Sequence, residues 1–277
     1  MSVELRRRRL VLLSRYALLV VISAIVLFPI YAALVVAVQP IGQFVDLGVL
    51  LPSHITLAPF ADAFRDAHLG RYLLNSALVS LLITAGQVVT SVLAAYAFVF
   101  LRFPAKAAIF LVFLTTLMIP TEVAMVANLE TIERWGWVDS YQALVVPFLA
   151  FAFGTFLLRQ AFLGIPSELS DAAIVDGYGH LRFLWHVAVP LVRPSIAALA
   201  VFSFLISWNQ YLWPLLVTND DRYRTVQIGL KQLASGNSVT LNLVMAGTLI
   251  AALPIVAVLV FFERHLVRGL TAGAVKG

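Results

Sequence analysis

Five titratable side chains that could do acid–base or metal chemistry, Glu168, Asp171, Asp176, His180 and His186, fall within ELSDAAIVDGYGHLRFLWHVAVPLVRP, residues 168–194. Their spacing argues against both uses. His180 and His186 are six apart, not the three or four that share a helical face. Asp176 and His180 are four apart, but Gly177 and Gly179 interrupt a helix between them. The chain has no cysteine, so disulfides, thiol catalysis and thiolate metal sites are excluded. No catalytic or metal-ligating residue is assigned, and no cofactor is expected on this chain. Two other places hold polar groups in apolar surroundings. Glu122 follows Pro120 in a long apolar run. Trp208, Asn209, Gln210 and Tyr211 lie together in SWNQYLWP. Aromatics beside amides suit a polyol or sugar, and they equally suit helix–helix hydrogen bonding. Both groups are candidate pathway residues. For Glu122, pairing with a partner and a place at the outer interface remain open. Asn75, Ser76, Gln87, Thr115, Thr116 and Asn128 read as packing.

The elements that must position these residues are membrane helices. The 277 residues are 61% hydrophobic and only 12% charged, far from the balance of a soluble domain. Mean hydropathy is +0.95. Six apolar runs, near residues 10–38, 72–100, 107–128, 141–162, 196–217 and 243–262, are long enough to cross about 30 Å of hydrocarbon as helices. None alternates with the period of two that a membrane barrel needs. The expectation is an all-α membrane protein in which residues 1–277 form one six-helix domain.

Arg6, Arg7, Arg8, Arg9 and Arg15 precede or open the first run, which puts the N-terminus in the cytoplasm. Six crossings return the C-terminus to the same side. Of the 19 Lys and Arg, 13 then fall on inner segments. The net charge of +5 thus follows topology and does not indicate nucleic acid. The first run is too long for a cleaved signal sequence and reads as an anchor. Residues 39–70 form an outer loop, in which LPSHITLAPFADAFRDAHL holds a short interfacial helix. Trp135 and Trp137 suit the headgroup level. Pro29, Pro120, Pro147 and Pro254 lie inside apolar runs, where kinks are expected.

This topology places residues 168–194 in the cytoplasm. Ser167, Glu168 and Asp171 favour a helix start, and Gly177 and Gly179 end it. LRFLWHVAVP forms a second segment. The outcome is a helix–glycine–helix elbow with a small-residue surface suited to docking another protein.

DAAIVDGYGHLRFLWHVAVPLVRPS closely resembles the EAA loop of ABC importer permeases, with Asp171, Ala172, Ala173, Asp176, Gly177, Phe183, Pro190 and Pro194 at the motif positions. Asp171 stands where that family usually has Glu. LMIPTEVAMVANL, FLLRQAFLGIPSEL and SFLISWNQYLWPLLV resemble other parts of the carbohydrate-uptake subgroup. The overall resemblance is to the MalG/UgpE-like family, nearest the UgpE type. It implies a type I ABC importer permease fold in a prokaryotic cell membrane. It also implies a coupling loop at about 164–195, with Asp171, Ala172, Ala173, Asp176, Gly177 and Phe183 as ATPase-coupling candidates. The implied partners are a second six-helix permease, a dimer of cytoplasmic ATPase subunits and an extracytoplasmic solute-binding protein, within membrane lipid. The chain carries no G-x-x-x-x-G-K-[ST] phosphate loop, so ATP and Mg would sit on the partner ATPase. The implied cargo is glycerol 3-phosphate or a glycerophosphodiester. A phosphate calls for Arg or Lys, and none lies well within a run, so a neutral maltose- or trehalose-like sugar is the alternative. More distant readings are an ion-coupled carrier using Glu122 and an intramembrane enzyme using the elbow's acids and histidines.

Overall fold

The computed structural model describes residues 2–40, 54–66, 68–235 and 241–271. Among these there are helices and no strands. In chain order the helices are α1 (Ser2–Ala37), α2 (Ala58–Asp66), α3 (Leu69–Phe100), α4 (Lys106–Thr115), α5 (Thr121–Arg134), α6 (Tyr141–Val145) and α7 (Ala152–Leu163). There follow α8 (Ser167–Val175), α9 (His180–Phe183), α10 (Val189–Leu191), α11 (Arg193–Trp208), α12 (Leu212–Val217), α13 (Val226–Ser235) and α14 (Leu241–Thr271).

Three stretches are single helices long and apolar enough to cross a bilayer: Val11–Ala37, Leu69–Phe100 and Leu241–Glu263. Three more qualify only as bent pairs, Lys106–Met118 with Thr121–Arg134, Tyr141–Phe148 with Ala152–Leu163, and His180–Leu191 with Arg193–Trp208. Their bends are 98°, 44° and 81°. The third run, expected at 107–128 with a kink at Pro120, consists of two helices meeting at Ile119–Pro120. The fifth, expected at 196–217, is interrupted after Trp208 and resumes at Leu212. Proline explains part of this. Pro120 has no N–H to give and sits as the residue before α5. Pro29 and Pro254, by contrast, lie inside continuous helices.

The chain divides into two compact units. The first comprises residues 1–69 and 230–252. Here residues 11–31 of α1 are exposed on every side, an arrangement that needs lipid or another apolar surface around it. Only its end is packed, where Val35, Val36 and Ala37 are buried. The buried Asn242 closes that end by donating from Nδ2 to the carbonyls of Val36 (3.2 Å) and Gln39 (3.1 Å). The short helix expected in the outer loop is α2. Residues 41–53 of that loop lie outside the described residues.

The second unit comprises residues 70–229 and 253–277. α3 is its axis, and its polarity is inverted relative to a soluble helix. Asn75, Ser76, Ser80, Gln87 and Ser91 are buried, while Leu74, Leu78, Leu81, Leu82 and Leu93 are exposed. Polar side chains face protein because hydrocarbon offers them no partner. Gln87 donates from Nε2 to the Phe148 carbonyl (2.8 Å) and accepts from Ser203 Oγ (2.5 Å). Thr90 donates to the Leu149 carbonyl (2.6 Å). Those bonds hold the break between α6 and α7. Gly86 and Gly154 permit the approach, since a Cβ at Gly154 would stand 2.5 Å from Ser91 Oγ.

Candidate functional site

The elbow begins at α8, with Pro166 as the residue before its first turn. It ends in a Schellman turn. Gly177 N–H donates to the Ile174 carbonyl (3.0 Å), and Tyr178 N–H donates to that of Ala173 (2.8 Å). The turn requires a left-handed residue, and Gly177 supplies it with φ 74°. α9 then starts at His180 and continues through a π-helical turn, Leu184–Ala188, into α10. Pro190 ends this segment's ladder and Pro194 lies in the first turn of α11.

The sequence-derived coupling residues separate into two sets. Asp171, Ala172, Asp176 and Gly177 are exposed, together with Ile174, Val175 and Leu181. Ala173 and Phe183 are buried in the core with Tyr96, Phe162, Leu184 and Leu199. The buried pair therefore anchors the elbow, and the exposed set forms its outer surface. Anchoring is aromatic. Phe183 and Phe100 meet edge-on at 5.2 Å, and Tyr96 lies 6.4 Å from Phe183 and 6.5 Å from Phe162 between ring centroids. Tyr96 Oη is 3.1 Å from His180 Nδ1. The Arg182 guanidinium lies 4.3 Å over Tyr178, and His186 Nδ1 is 3.1 Å from the Arg182 carbonyl. Behind the elbow a concavity of about 660 Å³ is lined by Arg102, Asp171, Ile174 and His180 among others.

The pathway candidates are not brought into one cluster. Glu122 is exposed in the first turn of α5, where the helix dipole favours a carboxylate. Trp208 is buried and stacked on Phe204 at 5.5 Å. Asn209 ends α11, with its Nδ2 donating to the Leu205 carbonyl (2.8 Å), and is exposed. Gln210 and Tyr211 are half-buried in the break before α12. Interrupted backbone of this kind is tolerated at membrane depth only where it is buried in protein or lines a cavity. The break therefore presents amides, whereas Trp208 supports them from inside.

A polar network on residues 72–76, 137–143 and 213–226 escaped the sequence reading. Tyr72 Oη donates to Asp221 Oδ1 (3.0 Å), which also accepts from Arg224 Nη1 (2.6 Å). Asn75 Nδ2 donates to the carbonyls of Arg222 and Arg224, both at 2.8 Å, and Asn75 Oδ1 accepts from Tyr141 Oη (2.9 Å). Asp139, at φ 58°, accepts from the amides of Asn219 (2.6 Å) and Asp220 (2.8 Å). Hydrogen bonds from Arg222 hold the Asp220 carboxyl below its ordinary range, and the same contact pushes Arg222 up. The three segments lie tens to more than a hundred positions apart, so no local spacing signals that they meet.

Comparison with known proteins agrees with the architecture. The "sn-glycerol-3-phosphate transport system permease protein UgpE" of Pectobacterium atrosepticum is 39% identical over 279 residues, covering 95% of this chain and 97% of that protein. Those of Yersinia enterocolitica and Agrobacterium fabrum are 37% and 39% identical, each covering 92% of this chain and 94% of its own. The crystal structure of a bacterial ABC transporter involved in import of the acidic polysaccharide alginate contains a chain of the same fold. It aligns with TM-score 0.82 at 19% identity, covering 94% of this chain and 97% of that one. The family described as "Binding-protein-dependent transport system inner membrane component" matches residues 87–272, a stretch that contains the whole elbow and the Asn209 break, and the chain belongs to that family.

Proposed function

We propose that this chain is one of two membrane-spanning permease subunits of an ATP-driven importer for sn-glycerol 3-phosphate or a glycerophosphodiester. The substrate rests on one observation. Relatives named for sn-glycerol-3-phosphate transport are 37–39% identical across nearly the whole chain. The coupling role is supported by the elbow's exposed face, Asp171, Ala172, Asp176 and Gly177 with Val175 and Leu181, carried on a buried aromatic anchor. That face would dock a cytoplasmic ATPase dimer, which holds ATP and Mg. Ala173 and Phe183 would transmit the movement inward.

The expected orientation has six crossings with both termini in the cytoplasm of a prokaryotic cell. The remaining partners are a second permease and an extracytoplasmic solute-binding protein. At Asn209–Tyr211 the chain offers amides and a phenol and no cation, which suits hydroxyl groups of the cargo and leaves its phosphate to the second permease. The same observation favours a neutral sugar as the second reading.

The test is uptake into proteoliposomes carrying the complete complex, with radiolabelled sn-glycerol 3-phosphate and maltose compared. ATP-dependent accumulation of the phosphate ester supports the first reading. Accumulation of maltose alone replaces it with the second, and gradient-driven uptake without ATP would overturn both.

A further inference from the structure

Lys106 and Arg159 are cations on two packed helices, and neither forms an ion pair among the described residues. α4 packs against α7. Lys106 opens α4 and Phe110 follows one turn later on the same face. The Arg159 guanidinium lies 4.3 Å over the Phe110 ring, and Lys106 Nζ lies 6.0 Å over the adjacent Phe103 ring. Lys106 Nζ donates to the carbonyls of Val99 (3.0 Å) and Leu101 (2.9 Å) at the end of α3, which leaves it one further donor. Arg159 has no hydrogen-bond acceptor among the described residues, and its Nε is shielded from solvent.

The ion pairs among the described residues all lie elsewhere, at Asp62–Arg65, Glu130–Arg134, Asp220–Arg222 and Asp221–Arg224. A half-buried guanidinium without an acceptor is costly, and a neighbouring like charge adds to the cost. The described residues supply no anion to this pair.

Two further features indicate its chemistry and direction. Ala105, at φ 55°, gives α4 no side-chain cap, so first-turn amides are available to an anion. α4 also has no buried residue, and Ile109, Leu111 and Val112 are exposed. An exposed apolar helix face suits lipid, and the cations stand at its N-terminal end, beside the packed rings of Phe98, Phe103 and Phe110.

We propose that Lys106, Arg159 and the first turn of α4 bind a phosphate ester, supplied by the headgroup of an anionic phospholipid of the phosphatidylglycerol class. The alternative source of the same chemistry is a soluble ester such as sn-glycerol 3-phosphate. The site requires only that these helices cross a bilayer, not the transport assignment above.

The test is native mass spectrometry of the intact complex taken from nanodiscs of equal parts phosphatidylglycerol and phosphatidylcholine. Wild-type protein should retain phosphatidylglycerol in preference to phosphatidylcholine. Arg159→Gln should lower that retention about fivefold, from about 1 kcal/mol per cation near a membrane surface, and Arg159→Lys should restore part of it. Displacement of the lipid by added sn-glycerol 3-phosphate would support the phosphate site and assign it the soluble source; insensitivity supports the lipid. If Arg159→Gln fails to assemble, the wild-type preference decides alone. Equal retention of the two lipids by wild-type protein, with no binding of labelled sn-glycerol 3-phosphate that depends on Arg159, overturns the proposal.

Discussion

Tyr96 Oη and His180 Nδ1, 3.1 Å apart across 84 residues of sequence, join the long central helix α3 to the first residue of α9. Whichever ring nitrogen carries the proton, this bond is the polar contact within an otherwise aromatic anchor. Under the coupling role proposed above, a displacement of α9 would act on α3 directly. Removing the hydroxyl with Tyr96→Phe keeps the ring packing and deletes the bond. A loss of about 0.5–1.5 kcal/mol should lower uptake by about two- to tenfold, with ATPase activity less dependent on substrate. Full substrate-stimulated uptake by the variant would remove Tyr96 from the coupling path.

Gly177 separates conformation from docking. A Cβ there meets nothing within 4 Å, so the cost of Gly177→Ala is confined to its left-handed φ of 74°, about 1–2 kcal/mol. That variant should still assemble with the ATPase. Gly177→Asp adds a charge to the proposed docking face and should abolish uptake and co-purification of the ATPase. Normal ATP-driven uptake by Gly177→Asp would sink the docking assignment.

Gln87 ties three helical segments through Phe148 and Ser203. Gln87→Leu leaves a buried hydroxyl and a carbonyl unsatisfied, at about 1–3 kcal/mol. The variant complex should lose activity on heating at lower temperature than wild type, read as residual ATPase after a temperature series. An unchanged midpoint would mean that water replaces the amide.

Glu122 is exposed and lies outside the buried core. Glu122→Gln should leave assembly intact, as judged by size-exclusion chromatography, while altering the rate of uptake. Loss of assembly would make Glu122 a subunit-interface residue instead.

Asp220 predicts a pH effect. Its folded pKa is lowered by Arg222, so its stabilising contact is complete above the ordinary carboxylate range and is lost as pH falls through the lowered value. Limited proteolysis of the segment near Asp220 should accelerate on acidification below about pH 4. Asp220→Asn should be cleaved faster at neutral pH and show a weaker pH dependence. Identical profiles for the two proteins would exclude Asp220 as the titrating group.

Much of this protein is decided locally. A run such as 72–100 has no alternative to a helix once it enters hydrocarbon, because every backbone amide must find its partner within the segment. The Asp-Gly-Tyr-Gly stretch likewise contains its own turn, since Gly177 alone can take the left-handed position cheaply. The elbow was therefore legible from residues 167–194 together with the resemblance they carry.

The bends were legible only in part. Kinks are expected at all four prolines, yet Pro29 and Pro254 stand in continuous helices while Pro120 stands at a 98° break, because neighbours determine whether a freed carbonyl is re-satisfied. Nor could composition tell that Ala173 and Phe183 face inward while Asp176 faces out, or that Asn75, Tyr141 and Arg224 share one network. Hydropathy and short-range backbone sterics suffice to make this chain helical and membrane-embedded and to interrupt it with a polar elbow. Which prolines break a span, which motif residues anchor and which are presented, and which cations lack an acceptor among the described residues come from packing, because each depends on what distant helices bring alongside.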